Sequence, residues 1–174
     1  MLTEHKKLTA GLIPRTYLLV DLDNICGGCR NMSQSSVAHI AKNLFGGLAR
    51  ADVDLKGSMV SLAFGVEAVY REPAFLTAWP RSPRPRLLQG HGVDGADERI
   101  LDALSNDPAL RRSKTVIVAS GDGIYSAAIH DLNKLGIETI TACNSSSLSS
   151  KLKIACQLHI EIPEPPSIEM AWIA

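Results

Sequence analysis

Two apolar runs in this chain stop abruptly at carboxylates. Tyr17-Leu-Leu-Val leads into Asp21-Leu-Asp23-Asn24, and Val116-Ile-Val-Ala leads into Ser120-Gly-Asp122-Gly. A continuous apolar run lacks the alternation of a strand with one wet face, so it predicts a parallel strand buried on both faces. Each such strand delivers an acid to the carboxyl edge of a sheet, where open α/β sheets bind ligands. Acids crowded there repel one another unless they share a cation or a proton.

A chain of 174 residues predicts one domain, able to bury roughly 70% of its unfolded surface. Lys and Arg number 18, as do Asp and Glu. Overall charge therefore draws no polyanion, and nucleic-acid contact would have to come from a local patch. No stretch approaches the roughly 20 apolar residues that span a bilayer, so no membrane partner is expected. The start, Met1-Leu-Thr-Glu-His-Lys-Lys, lacks the apolar core of a cleaved export signal. These features predict a cytoplasmic protein whose four cysteines are mostly reduced.

Strands are expected over 16–22, 59–64, 87–89, 115–120 and 137–142, with an edge strand over 158–162 where apolar and polar residues alternate. Helices are expected over about 35–50, 72–79, 96–104, 123–135 and 147–155. Ser35 or Ser36 is the expected N-cap of the first, Pro73 suits the first turn of the second, and Gly136 the C-cap of the fourth. In that fourth helix Ile124, Ala128, Leu132 and Leu135 fall on one apolar face. Alternating strands and helices predict an α/β fold: a mostly parallel sheet of five or six strands with helices on both faces.

After the third strand comes Gly90-His-Gly-Val-Asp94-Gly-Ala-Asp97-Glu98. Asp97 reads as an N-cap or first-turn acid, and Asp122 as a cap in a tight turn. Asp21 has no such role by its position, and an unpaired buried carboxylate costs several kcal/mol. Asp23 and Asn24 lie just beyond, able to ligate or orient a ligand. Together, Asp21, Asp97 and Asp122 arrive from three crossover units at one edge. An all-oxygen cluster suits Mg²⁺ or Mn²⁺, and such a site can activate water against a phosphodiester. There is no Walker-type lysine loop and no G-x-S-x-G elbow.

Leu19-Val-Asp21-Leu-Asp23-Asn24, Gly92-Val-Asp94-Gly-Ala-Asp97 and Ala119-Ser120-Gly-Asp122-Gly, followed by Leu132-Asn-Lys-Leu-Gly136-Ile, together resemble the NYN domain of the PIN-like ribonucleases. The resemblance covers roughly 16–162, leaving 1–15 as an N-terminal arm and 163–174 as a tail. It implies a Rossmann-like, three-layer PIN-like domain with metal-dependent endoribonuclease activity, with single-stranded RNA the expected partner. The family's acids map onto Asp21, Asp97 and Asp122, with Asn24 in support and Asp94 competing for the second place. Many members carry a further Asp two residues after the S-G-D acid; Ile124 stands there, so one potential ligand is missing. Besides RNA, the reading allows a second copy facing the first across an RNA channel, and an antidote protein if the chain is a toxin.

Ser120, Lys151 and Lys153 near the predicted edge, and Arg81, Arg84 and Arg86 in a proline-held loop, are candidate RNA-backbone contacts. Arg71 could join them, and Trp79 either stacks on a base or closes the core. His91 is a loop histidine that could carry a proton. Cys26-Gly-Gly-Cys29 has the spacing of a redox pair, and with Cys143 and Cys156 could form a zinc site; incidental thiols in a glycine-rich loop is the simpler reading. Two further functions fit the acids: a catalytically weakened RNA-binding or assembly module, and a haloacid-dehalogenase-like phosphatase. The latter's D-x-D-x-[TV] motif is broken by Ile25, and the expected later lysine and second Asp are missing.

Overall fold

A computed structural model describes residues 16–81 and 83–163; the arm and nearly all of the tail expected from the sequence lie outside these residues. Six strands form one sheet: β1 (Thr16–Asp21), β2 (Met59–Gly65), β3 (Arg86–Gly90), β4 (Thr115–Ala119), β5 (Glu138–Cys143) and β6 (Leu158–Glu161). Their order is β3-β2-β1-β4-β5-β6, and every pairing is parallel. β1 and β4 are the two central strands and are buried along their whole length, as their unbroken apolar runs require. β6 is an edge strand, as its alternation predicts.

Helices cover both faces. On one lie α1 (Leu22–Ile25), α2 (Gln34–Arg50) and α3 (Val66–Arg71), with a 3-10 turn over Pro73–Thr77. Val37, Ile40, Ala41, Leu44 and Leu48 of α2 meet Leu62, Phe64, Phe75 and Trp79 there. On the other lie α4 (Gly95–Asn106), α5 (Ser126–Lys134) and α6 (Ser150–Ala155). Ile100, Leu104, Ile129, Leu132 and Leu152 pack there against Tyr17, Leu19, Val116 and Val118. The result is a Rossmann-like three-layer α/β fold.

Several local expectations are corrected. The N-cap of α2 is Ser33, not Ser35 or Ser36. Ser33 and Ser36 cap each other reciprocally, which starts the helix earlier than its apolar spacing indicates. The segment around Pro73 is a 3-10 turn, and α3 before it was not anticipated. The 147–155 helix begins only at Ser150, capped by the Ser149 hydroxyl. The 123–135 segment opens as a 3-10 turn over Gly123–Tyr125, and α5 follows it. With that turn at its start, the segment buries a face that shares Leu132 with the expected one but takes Tyr125 and Ile129 in place of Ile124 and Ala128. Tyr125, Ile129 and Leu132 are buried, whereas Ile124 is 47% exposed and Leu135 lies beyond the helix, also exposed. Gly136 turns the chain with φ +78°, as a C-cap glycine does.

One close approach sets the site. The end of β3 and the start of α4 touch through Gly90 and Gly95. A Cβ on Gly90 would stand 2.0 Å from the Gly95 carbonyl carbon. Only two glycines permit this contact, and it seats the first turn of α4 against the carboxyl edge of the sheet.

Candidate functional site at the carboxyl edge

The strand order reverses between β1 and β4, which lie side by side and lead away to opposite edges. Helices diverge at such a point and leave a crevice at the carboxyl ends. Asp21 ends β1, and Ser120, Gly121 and Asp122 follow β4. α4 brings Asp97 in its first turn, and the turn before α5 brings Tyr125.

Asp21 is 1% exposed. Its Oδ1 accepts the Asn24 amide at 3.1 Å and so caps α1, a role its place at a strand end did not suggest. Its Oδ2 accepts the Ser120 hydroxyl at 3.0 Å and the Tyr125 hydroxyl at 2.8 Å. The Tyr125 oxygen also lies 2.6 Å from Asp97 Oδ1. A phenol carries one proton, so it donates to only one of these two carboxylates. The other contact is a hydrogen bond only when Asp21 or Asp97 is itself protonated.

The electrostatics agree with that count. Burial pushes the Asp21 carboxyl up to about 6, with the nearby charge of Asp97 adding to the rise and the bonds from Asn24, Tyr125 and Ser120 opposing it. Asp97 is raised, first by burial and then by the charges of Asp122 and Asp94, against the Tyr125 bond. Asp23 is also raised, by burial and by the charges of Asp97 and Glu67, while the Gly65 amide at 3.0 Å opposes this. Burial and both carboxylates hold the Tyr125 phenol far above its ordinary range. Among the described residues the ion pairs lie elsewhere, at Arg86–Asp107 and Lys134–Asp131, and His159 stands 4.0 Å from Glu161. No basic side chain among the described residues neutralises the acidic edge.

Asn24 is locked in place. Its Oδ1 accepts the Gly121 amide at 2.9 Å, tying the end of β1 to the turn after β4. Asp122 accepts the Ile124 amide at 2.9 Å, and its own amide donates to Ser120 Oγ at 3.2 Å. Asp94 is exposed one residue before α4 and makes no side-chain cap there.

The donor chemistry suits a hard divalent cation, since several carboxylates converge without a counter-ion. The arrangement is an open one. Among the described residues no three Asp, Glu, His or Cys side chains are poised as a ready-made ion site, and the Tyr125 hydroxyl fills the space between Asp21 and Asp97. Mg²⁺ commonly takes only one or two carboxylates and keeps its waters. The charges of Asp122 and Asp94 both bear on Asp97, and Asp21 reaches this edge through Tyr125 and Ser120.

The other sequence candidates separate. Lys151 opens α6 beside the Asp122 turn and is exposed, as is Lys153. Arg81 and Arg84 precede β3 and Arg86 begins it, toward the amino end of the sheet and away from the acids. Arg86 pairs with Asp107 at 2.8 Å, where Tyr17 also donates at 2.9 Å. Arg71 is held by the Cys29 carbonyl. Trp79 is 4% exposed and tilts against Phe45 at 5.5 Å, so it closes the core and does not present a face to a base. All four cysteines are free, and burial pushes the Cys26 thiol up to about 12, the opposite of a reactive thiolate.

Sequence reasoning missed Tyr125. Its signal was available in the i, i+4, i+7 spacing of Tyr125, Ile129 and Leu132, but the Ile124 spacing looked equally apolar.

No protein-family model matches the chain, and no curated protein matches it. Among solved structures it is similar to a protein of unknown function from Vibrio parahaemolyticus. The two are 16% identical, with a TM-score of 0.57, over 94% of this chain and 98% of the other. This likeness speaks to the fold. No helix among the described residues is long and apolar enough to cross a membrane.

Proposed function

We propose that the chain is a metal-dependent endoribonuclease, as its resemblance to NYN domains implies. One observation carries the reading. The Tyr125 hydroxyl joins Asp21 and Asp97 beside the strand-order reversal, Ser120 links Asp21 to the Asp122 backbone, the Asp122 charge raises Asp97, and none of these acids has a basic partner among the described residues. Acids left uncompensated in this way suit a site completed by a divalent ion and a phosphodiester.

Asp97 and Asp122 would hold Mg²⁺ or Mn²⁺, whose chemistry there is to lower the pKa of a water and offset charge on the phosphate. Asp21 orients Tyr125 and Ser120 from beneath. Asn24 holds the Gly121 turn in register and offers its amide hydrogens to the substrate. Ser120 fixes the Asp122 backbone through its own hydroxyl.

The test is end-labelled single-stranded RNA incubated with and without Mn²⁺, using the parent and Asp122→Asn. Cleavage by the parent only, with the variant folded, is the expected result. Equal cleavage by both would sink the assignment. A second reading, an RNA-binding module without catalysis, draws on the Tyr125 hydroxyl that already fills the gap between two of the acids. It requires RNA affinity indifferent to chelator and no cutting at any Mn²⁺ concentration.

A further inference from the structure

Beside Asp122 the carboxyl edge opens into a cleft of about 570 Å³. It is a shallow depression open to solvent on one side, so a ligand would lie along its two walls and not be enclosed. One side is Asn24 and the turn Gly121–Ile124. The other is Ser147, Ser149, Ser150 and Lys151.

The two walls are stapled together. The Ser149 amide donates to the Gly121 carbonyl at 2.8 Å. A Cβ on Gly121 would stand 2.3 Å from the Ser147 carbonyl oxygen, and one on Gly123 would stand 2.4 Å from Ser149 Oγ. The missing side chains let the serine loop lie directly on the turn, so the cleft is formed before any ligand arrives.

Its donors are side chains. The turn's Gly121, Asp122 and Ile124 amides are already spent on Asn24, Ser120 and Asp122, so the turn is not an anion nest. Asn24 Oδ1 must be the atom that meets the Gly121 N–H, because an NH₂ group cannot accept it. Both Nδ2 hydrogens are thereby left without an acceptor among the described residues. Ser149 Oγ accepts the Lys151 amide at 3.3 Å, which leaves its hydroxyl proton to give. The Lys151 ammonium has no ion-pair partner among the described residues. Ile124, half exposed on the same wall, adds one apolar surface.

We infer that this cleft is a nucleotide subsite: Asn24 Nδ2, Ser149 and Lys151 hold a phosphate, and Ile124 packs against the attached sugar or base. It rests on the ribonuclease reading for its place in the reaction, seating the unit next along the strand from the phosphodiester at Asp97 and Asp122. Ile124 thus has a use in the position where a further acid was expected.

The test is titration of adenosine 5′-monophosphate into the ¹⁵N-labelled full chain in EDTA, followed by amide shifts, beside inorganic phosphate. Saturable shifts are expected at Gly121, Gly123, Ser149 and Lys151, with inorganic phosphate at least tenfold weaker. Lys151→Ala and Asn24→Asp should each weaken the nucleotide at least fivefold. Asn24→Asp keeps the acceptor for Gly121, and Lys151 is exposed, so both variants should give a folded spectrum. Ile124→Ala should weaken the nucleotide but not phosphate. Shifts elsewhere, equal affinity for phosphate, or variants that bind as the parent does would overturn the inference. Because EDTA removes the metal, the two readings separate: nucleotide binding without Mn²⁺-dependent cleavage supports the subsite and ends only the nuclease, and cleavage without nucleotide shifts ends only the subsite.

Discussion

The Tyr125 hydroxyl sits 2.8 Å from Asp21 Oδ2, joining residues 104 positions apart in a buried contact. Because the same oxygen also touches Asp97, one phenol proton separates two acids that would otherwise face each other directly. Removing it should be costly. Tyr125→Phe is expected to lower stability by about 1–3 kcal/mol at pH 7, the range for stripping a partner from a buried polar group. The loss should shrink at pH 5, where Asp21 is largely protonated. Urea unfolding at the two pH values measures both.

The contribution of Asp21 to stability should fall as pH rises from about 4 to about 6, against the opposite trend from the lowered carboxyl of Asp107. The Asp21 carboxyl is raised to about 6 in the fold, against roughly 4 in an unfolded chain. The native state therefore binds the extra proton within that window, and the Asp21 part of the slope of unfolding free energy with pH is negative there. Two pH units correspond to about 3 kcal/mol. Asp23 and Asp97 are shifted in the same direction and steepen the fall. Asp21→Asn should flatten it, and chemical denaturation across the window checks this.

Divalent cations should raise the melting temperature, and most at neutral pH. An ion present at a hundredfold its dissociation constant stabilises by about 2.7 kcal/mol. The gain should vanish in Asp97→Asn, which deletes one of the two proposed ligands. Melting curves with Mn²⁺ and with EDTA decide it, independently of any cleavage assay.

Gly90→Ala should unfold or severely loosen the protein. Its Cβ would be driven into the Gly95 backbone at 2.0 Å, and two backbones cannot give way as a flexible side chain does. A loss of about 3 kcal/mol or more is expected. If a folded fraction survives, α4 must move, taking Asp97 from Tyr125. Circular dichroism and a melting curve report the loss.

Trp79→Ala should cost about 3–5 kcal/mol, as truncating a buried aromatic does, while leaving RNA affinity of the folded fraction unchanged. Trp79 is buried against Phe45, far from a base-stacking role. A drop in RNA affinity at constant folded population would contradict this.

The alternation of apolar runs and helical spacing was enough to determine a parallel sheet with helices on both faces. The runs ending at Asp21 and Ser120 marked its two central strands, because only burial on both faces demands unbroken apolar residues. The acids at those ends were legible for the same reason, each standing where apolar sequence stops. Tertiary structure alone decided what surrounds them. The 3-10 turn set the buried phase on Tyr125 and not on Ile124, two choices whose apolar spacings read alike along the sequence. The Gly90–Gly95 contact set where α4 presents Asp97, and the Ser149–Gly121 staple made a cleft from two segments that say nothing of each other in sequence. Burial and strand character are properties of a local run and can be read along it. Which proton lies between Asp21 and Asp97 depends on atoms brought together from three distant segments, and only the folded chain determines it.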